Sequence, residues 1–119
     1  MRVQLCGVLL SAALCMPACA AANRLSGLSE AREIQAVGRP AEAVVLAIWD
    51  TGITVGNDPV VGLSVRVEPV DRPSYEARIE KSIVSRVHLP QVQPGKRVPV
   101  FVDPRNPARL ALGIYDLRR

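Results

Sequence analysis

The chain has 119 residues, 49% of them hydrophobic, and a formal net charge of +4 from 15 basic and 11 acidic residues. That length gives one compact domain once a leader is set aside, and excludes a second core. Aromatic residues make up only 3% of the chain and its basic residues alternate with acidic ones, which argues against nucleic-acid binding; the mild basicity suits anionic lipid or envelope polymer.

Residues 1–19 read as a secretory signal: Arg2, an uncharged apolar run from Val3 to Met16, then Pro17 and small residues. Three fates are open to this leader. Ala18-Cys19-Ala20 fits the small-x-small rule of signal peptidase, with a new N-terminus near Ala21. Met16-Pro17-Ala18-Cys19 resembles the lipobox of bacterial lipoproteins, with Met16 where leucine is usual, and would leave Cys19 lipidated. An uncut anchor from Val3 to Ala22 would just span a bilayer. The cysteines Cys6, Cys15 and Cys19 all fall in or at the end of the leader, so the exported part has no disulfide framework. Lipidation of Cys19 removes an otherwise reactive thiol, and it is the preferred fate.

Residues 20–37 read as a linker and a short helix. Leu25, Leu28, Ala31, Ile34 and Val37 recur every three residues, with Glu30, Arg32, Glu33 and Gln35 on the other faces. Ser26 or Ser29 is the expected cap, and Gly38 before Arg39-Pro40 the stop.

From residue 38 to 119 the pattern is that of strands. Residues 41–49, AEAVVLAIW, are apolar on both faces, which predicts a strand covered on both sides, with the helix as one cover. In VVGLSVRVEP, Val61, Leu63, Val65 and Val67 face inward; in YEARIEKSI, Tyr75, Ala77 and Ile79 do, with Asp71-Arg72-Pro73 turning one strand into the next. Opposite charges predict a hairpin register of Glu68 with Arg78 and Arg66 with Glu80. Two further strands, 97–102 and 108–112, flank the turn Asp103-Pro104-Arg105-Asn106-Pro107, and Pro99 suggests an edge or bulged strand. Together these predict an all-β fold: a small five-stranded antiparallel, partly open barrel of OB or SH3-like kind, with a short N-terminal helix.

Asp50-Thr51-Gly52 after an apolar run is how the catalytic loop of an aspartic protease reads. Two such loops, brought together in a dimer, would share one proton between two carboxylates and activate a water. Against that reading stand Ile53, where a small residue is usual, and residues 67–80, which contain no glycine for a flap. The competing reading is turn chemistry between strands, with Asp50 bonding locally and Gly52 taking positive φ. A dimeric hydrolase using Asp50 is the alternative function.

A longer pattern covers residues 38–112: G-R-P-A-E-A-V-V-L-A-I-W-D-T-G, then D-P-V-V-G-L-S-V-R-V, Y-E-A, and P-G-K-R-V-P-V-F-V-D-P-R-N-P. It resembles a small β-domain of unknown function found in bacterial membrane-attached proteins. The positions carrying the resemblance are Asp50 to Gly52, Asn57 and Pro59, Pro94-Gly95 and Asp103-Pro104. The resemblance implies a β-domain held at a membrane and supplies no catalytic residue.

The lone histidine, His88, has no cysteine or second histidine near it in sequence, and Asp50, Asp58 and Asp103 stand at turns, where aspartate is expected. No metal site, cofactor or catalytic residue is therefore expected. Lys96-Arg97 and Arg118-Arg119 read as a solvated turn and tail. The sequence leads to a non-enzymatic cell-envelope lipoprotein or exported β-module, tethered at Cys19, with a structural role or a protein or polymer partner.

Overall fold

The computed structural model describes residues 27–117; Cys19 and the leader, Leu25, Ser26 and the two terminal arginines lie outside them. One helix, α1 (Leu28–Val37), precedes five strands: β1 (Arg39–Val55), β2 (Asp58–Glu68), β3 (Tyr75–Ile83), β4 (Arg97–Asp103) and β5 (Asn106–Leu112). They form one antiparallel sheet in the order β3-β2-β1-β4-β5, rolled into a partly open barrel whose edges, β3 and β5, do not pair. The Tyr75 hydroxyl bridges that seam at one end, donating to the Pro107 carbonyl at 2.7 Å.

The alternation in β2 places Val61, Leu63, Val65 and Val67 in the core as expected, against Ile79 of β3 and Ala43 and Val45 of β1. Burying each of these valines or leucines contributes about 1.5–3 kcal/mol.

β1 departs from the expectation. Leu46 and Ala47 are exposed, and α1 lies on β5 and β4 with a lesser contact to β3, so it does not cover residues 41–49. The physical reason is a bulge. Val45 pairs with Val65 and Ala47 with Ser64, leaving Leu46 as the extra residue. Across the bulge the inward set switches from Ala43 and Val45 to Ile48, which stands opposite Leu63. A run apolar on both faces thus reflects one buried face that changes parity halfway.

The β2–β3 register also differs: Arg66 stands opposite Glu76, and Ser64 opposite Arg78. The expected register would have carried Pro69, which has no N–H, into the ladder. Pairing instead ends at Val67 with Tyr75, and residues 69–74 form the loop. Glu68 finds its cation elsewhere, accepting from Arg97 of β4 at 2.7 Å.

β4 is an interior strand, flanked by β1 and β5, although it carries Pro99. The Pro99 carbonyl accepts from Gly113 N at 2.8 Å, so its N faces the same side, just past the last residue of β5. The missing donor therefore costs no ladder bond.

α1 begins at Gly27, with no side-chain cap; Ser29 sits inside the first turn. It ends at Gly38, whose amide donates to the Ile34 carbonyl at 2.6 Å. Gln35, expected on a polar face, is buried along with Ile34. A 3-10 helix, Leu89–Val92, not foreseen from the sequence, lies in the connection from β3 to β4 and seats Val92 in the core, to which the same connection also contributes Val84.

Candidate functional site

Asp50-Thr51-Gly52 is not a turn between strands. It lies within β1 at a second irregularity, between the pairs Asp50 with Val61 and Ile53 with Val60; the two-residue turn comes later, at Gly56-Asn57. The bulge is held by its own side chains. Asp50 Oδ1 accepts from Gly52 N at 2.8 Å, while Thr51 Oγ1 donates to the Val60 carbonyl at 2.6 Å and accepts from Ile53 N at 3.3 Å. Gly52, at φ 82°, takes the left-handed backbone this requires. Asp50 is exposed, with one carboxylate oxygen committed to its own loop.

Beside this bulge the outward face of the sheet presents Trp49. It stands opposite Gly62 on β2, and a methyl built on Gly62 would fall inside the indole, so the ring lies directly on the glycine backbone. From β3, Arg78 places its guanidinium over the same ring, 4.7 Å from the centroid, and also approaches Glu80 at 3.8 Å. Three strands thus converge on one partly exposed aromatic side chain, with exposed Leu46 and Ala47 beside it on β1. Stacking of this kind contributes about 0.5–1 kcal/mol at an exposed position and fixes the ring.

His88 and Asp103 have structural partners. His88 Nδ1 shares a hydrogen bond of 2.8 Å with the Tyr115 hydroxyl, which also accepts from Ser85 N at 3.0 Å; the two rings meet edge-on. Asp103 is buried at the start of the β4–β5 turn, where it accepts from Arg105 N at 2.9 Å and from Arg109 at 3.2 Å. The Arg105 amide first, then the Arg109 guanidinium, hold its carboxyl below the usual aspartate value despite opposing desolvation. Arg109 also donates to Glu30 and Glu33 of α1, at 2.9 and 3.1 Å, which pins the helix to β5. Those carboxylates, Glu30 foremost, raise its pKa further. Asp58 is half-buried at the start of β2, and Lys96 is exposed beside Arg97, which bridges Glu42 and Glu68. Among the described residues no three His, Cys, Asp or Glu side chains come together as a metal site, and no helix is long and apolar enough to cross a membrane.

Sequence reasoning missed the Trp49–Gly62–Arg78 stack, Gln35 and Arg109. The available signal for the first was a tryptophan at the end of an apolar run, with a glycine at an outward position of the next strand. Comparison of the chain with known protein families, with curated proteins and with solved structures found no match.

Proposed function

We propose that this chain is a non-enzymatic, exported β-module of the bacterial cell envelope, tethered by lipid at Cys19 and acting through contact with an envelope protein or polymer. The observation that carries the interaction role is the outward Trp49, fixed on Gly62 and stacked by Arg78. A pre-ordered aromatic side chain offers large contact area with little rotamer entropy left to lose, and tryptophan and arginine are the residues on which binding energy concentrates. The signal-like leader and the resemblance of the ordered motifs to those of membrane-attached β-domains favour the envelope location. The commitment of Asp50 Oδ1 to Gly52 supports a structural role for that aspartate.

Three measurements test this reading. A photoreactive residue at position 47 in intact cells should crosslink to a discrete partner, and Trp49→Ala should abolish that crosslink while the protein remains folded; a crosslink indifferent to Trp49 would remove the interaction role. Labelling with a tagged fatty acid should mark the wild type and not Cys19→Ser, and an unlabelled wild type removes the tether. Asp50→Asn should leave phenotype intact, whereas its loss in a folded variant would favour hydrolysis.

A further inference from the structure

The sheet has a further open edge inside β1 itself, made of main-chain groups. β1 pairs with β2 as far as Val55 but with β4 only from Arg39 to Val44. The β4 side ends at Val45, whose N–H donates to the Lys96 carbonyl at 2.9 Å and whose carbonyl accepts from Gly95 N at 2.8 Å. Beyond that point no described strand lies on this side of β1, and its main element contacts are with β2 and β4 alone. Leu46, Ala47, Asp50, Gly52, Thr54 and Val55 are all exposed.

Which groups face the open side follows from the ladder. In an antiparallel sheet successive residues turn their N–H and C=O to opposite neighbours, except at a bulge. Val45 faces β4, the bulge residues Leu46 and Ala47 face Ser64 of β2, and so Ile48 faces away from β2, Trp49 towards it and Asp50 away again. The N–H and C=O of Ile48 and Asp50 thus point to the side where β1 has no neighbouring strand. Edges of this kind are commonly blunted by lysine, proline or free charge. From Leu46 to Val55 there is no lysine or proline, and the one charged residue, Asp50, is bonded to Gly52 N. The stretch is stopped at both ends, by the Val45–Lys96 contact and by the Thr51-Gly52 bulge with Gly52 at φ 82°, so an added strand can pair with residues 47–51 and no further.

We propose that two copies of this chain pair through this edge, antiparallel about a two-fold axis at Trp49, with Ile48 of each copy exchanging both main-chain bonds with Asp50 of the other. The segment is its own complement. Pairing Ile48 with Asp50 satisfies every open group of both chains, whereas setting either residue opposite itself leaves the other without a partner. A foreign strand would need a matching short, unblunted edge, and a second copy brings one by necessity. Each indole lies back on Gly62 of its own β2, which leaves the axis clear, and Ala47, which falls opposite Thr51 of the other copy, is small. Because the ladder is stopped at both ends, the pairing is isologous and closes as a dimer instead of running on as a fibre. It goes beyond the envelope role proposed above, and needs neither the tether nor another partner on the Trp49 face.

The test follows amide exchange in the purified, isotope-labelled full chain by NMR from micromolar to millimolar concentration, with the mass measured by sedimentation in parallel. The mass should double, and exchange at Ile48 and Asp50 should slow about tenfold or more as it does, while Trp49, bonded to β2, stays slow throughout. That alternation marks strand pairing, which contact through the sheet face does not produce. Ala47→Lys, which places a lysine on the exposed edge, should weaken association about tenfold, whereas Glu76→Gln on β3 should leave it unchanged. A chain that stays monomeric at millimolar concentration, or a dimer in which Ile48 and Asp50 exchange as fast as in the monomer, overturns the proposal. Both results are read on the wild type, so they stand even where Ala47→Lys fails to fold. In cells, a crosslink from position 47 that joins two copies should persist in Trp49→Ala, since the bonds are main-chain. That product differs in mass from one with an envelope partner, so the two readings fail separately.

Discussion

Gly62 and Trp49 form a pair in which neither residue makes sense alone. The glycine is buried beneath the indole with no room for a methyl group, and the indole is flat against β2 only because nothing projects there. Gly62→Ala should therefore cost about 1–3 kcal/mol, the range for overpacking, and should raise the exposure of Trp49. Urea unfolding followed by tryptophan fluorescence measures both effects at once; an unchanged midpoint with an unchanged emission maximum contradicts the packing. Asp50 makes a weaker demand. Its Oδ1 accepts from Gly52 N, a bond that asparagine can also make, so Asp50→Asn should change stability by less than about 0.5 kcal/mol, while Asp50→Ala should cost about 1 kcal/mol. Equal losses in the two variants, read from the same unfolding curves, would mean that the charge, not the acceptor, matters. The triplet around Asp50 was conspicuous in the sequence, but its role was not. Aspartate, threonine and glycine serve a bulge inside a strand as well as a turn between strands, and only pairing tells the two apart.

At the scale of elements, alternation was the legible signal and registration the illegible one. The inward set of β2 could be read from its valines, because one face of an antiparallel strand meets the core and the other meets water. Register could not be read from charges, because a charged side chain on a sheet has neighbours on both flanking strands. Glu68 takes Arg97 across β1, not Arg78 in its own hairpin. The parity switch at Leu46 and the two-residue bulge at Thr51-Gly52 were equally hidden, since a bulge leaves no mark in apolar content. The helix illustrates the same limit. Gln35 has the composition of a surface residue, yet its Nε2 donates to the Leu112 and Tyr115 carbonyls at 3.1 and 2.9 Å and its Oε1 accepts from Leu117 N at 2.9 Å. It is thus the clamp between α1 and the segment that follows β5. Gln35→Leu should cost about 1–3 kcal/mol, because three backbone groups lose their partner, and the Leu117 amide should exchange with solvent far faster. Hydrogen exchange that is unchanged at Leu117 in a folded variant would show that the tail is held by other contacts.

The whole molecule is an open sheet that is held closed by polar ties at opposite margins of the pH scale. Arg109 joins α1, β4 and β5 through Glu30, Glu33 and Asp103, and Tyr75 ties β3 to β5 through the Pro107 carbonyl. Asp103 has its folded pKa held below the ordinary 3.8 by the Arg105 amide and Arg109. A depressed carboxylate contributes stability that is present above its unfolded pKa and is lost as pH falls through the folded value, so this tie fails in the acid range below 3.8. Tyr75 is shifted the other way: burial, opposed by the Arg72 charge, raises its phenol above 10.0. A raised acid contributes stability that is fully present below the unfolded pKa and is lost as pH rises through the folded one, so this tie fails only above pH 10. Thermal melts from pH 2 to 11 should show a plateau between the two limbs. The melting-temperature difference between wild type and Asp103→Asn should shrink as pH drops into the acid limb, where the wild-type carboxyl is also neutral. The difference between wild type and Tyr75→Phe should shrink only in the alkaline limb, as the wild-type phenol ionises and can no longer donate to Pro107. Were the Asp103→Asn difference constant from neutral pH down to 2, the carboxylate would carry no tie, and Arg109 would hold α1 to β5 through Glu30 and Glu33 without help from β4.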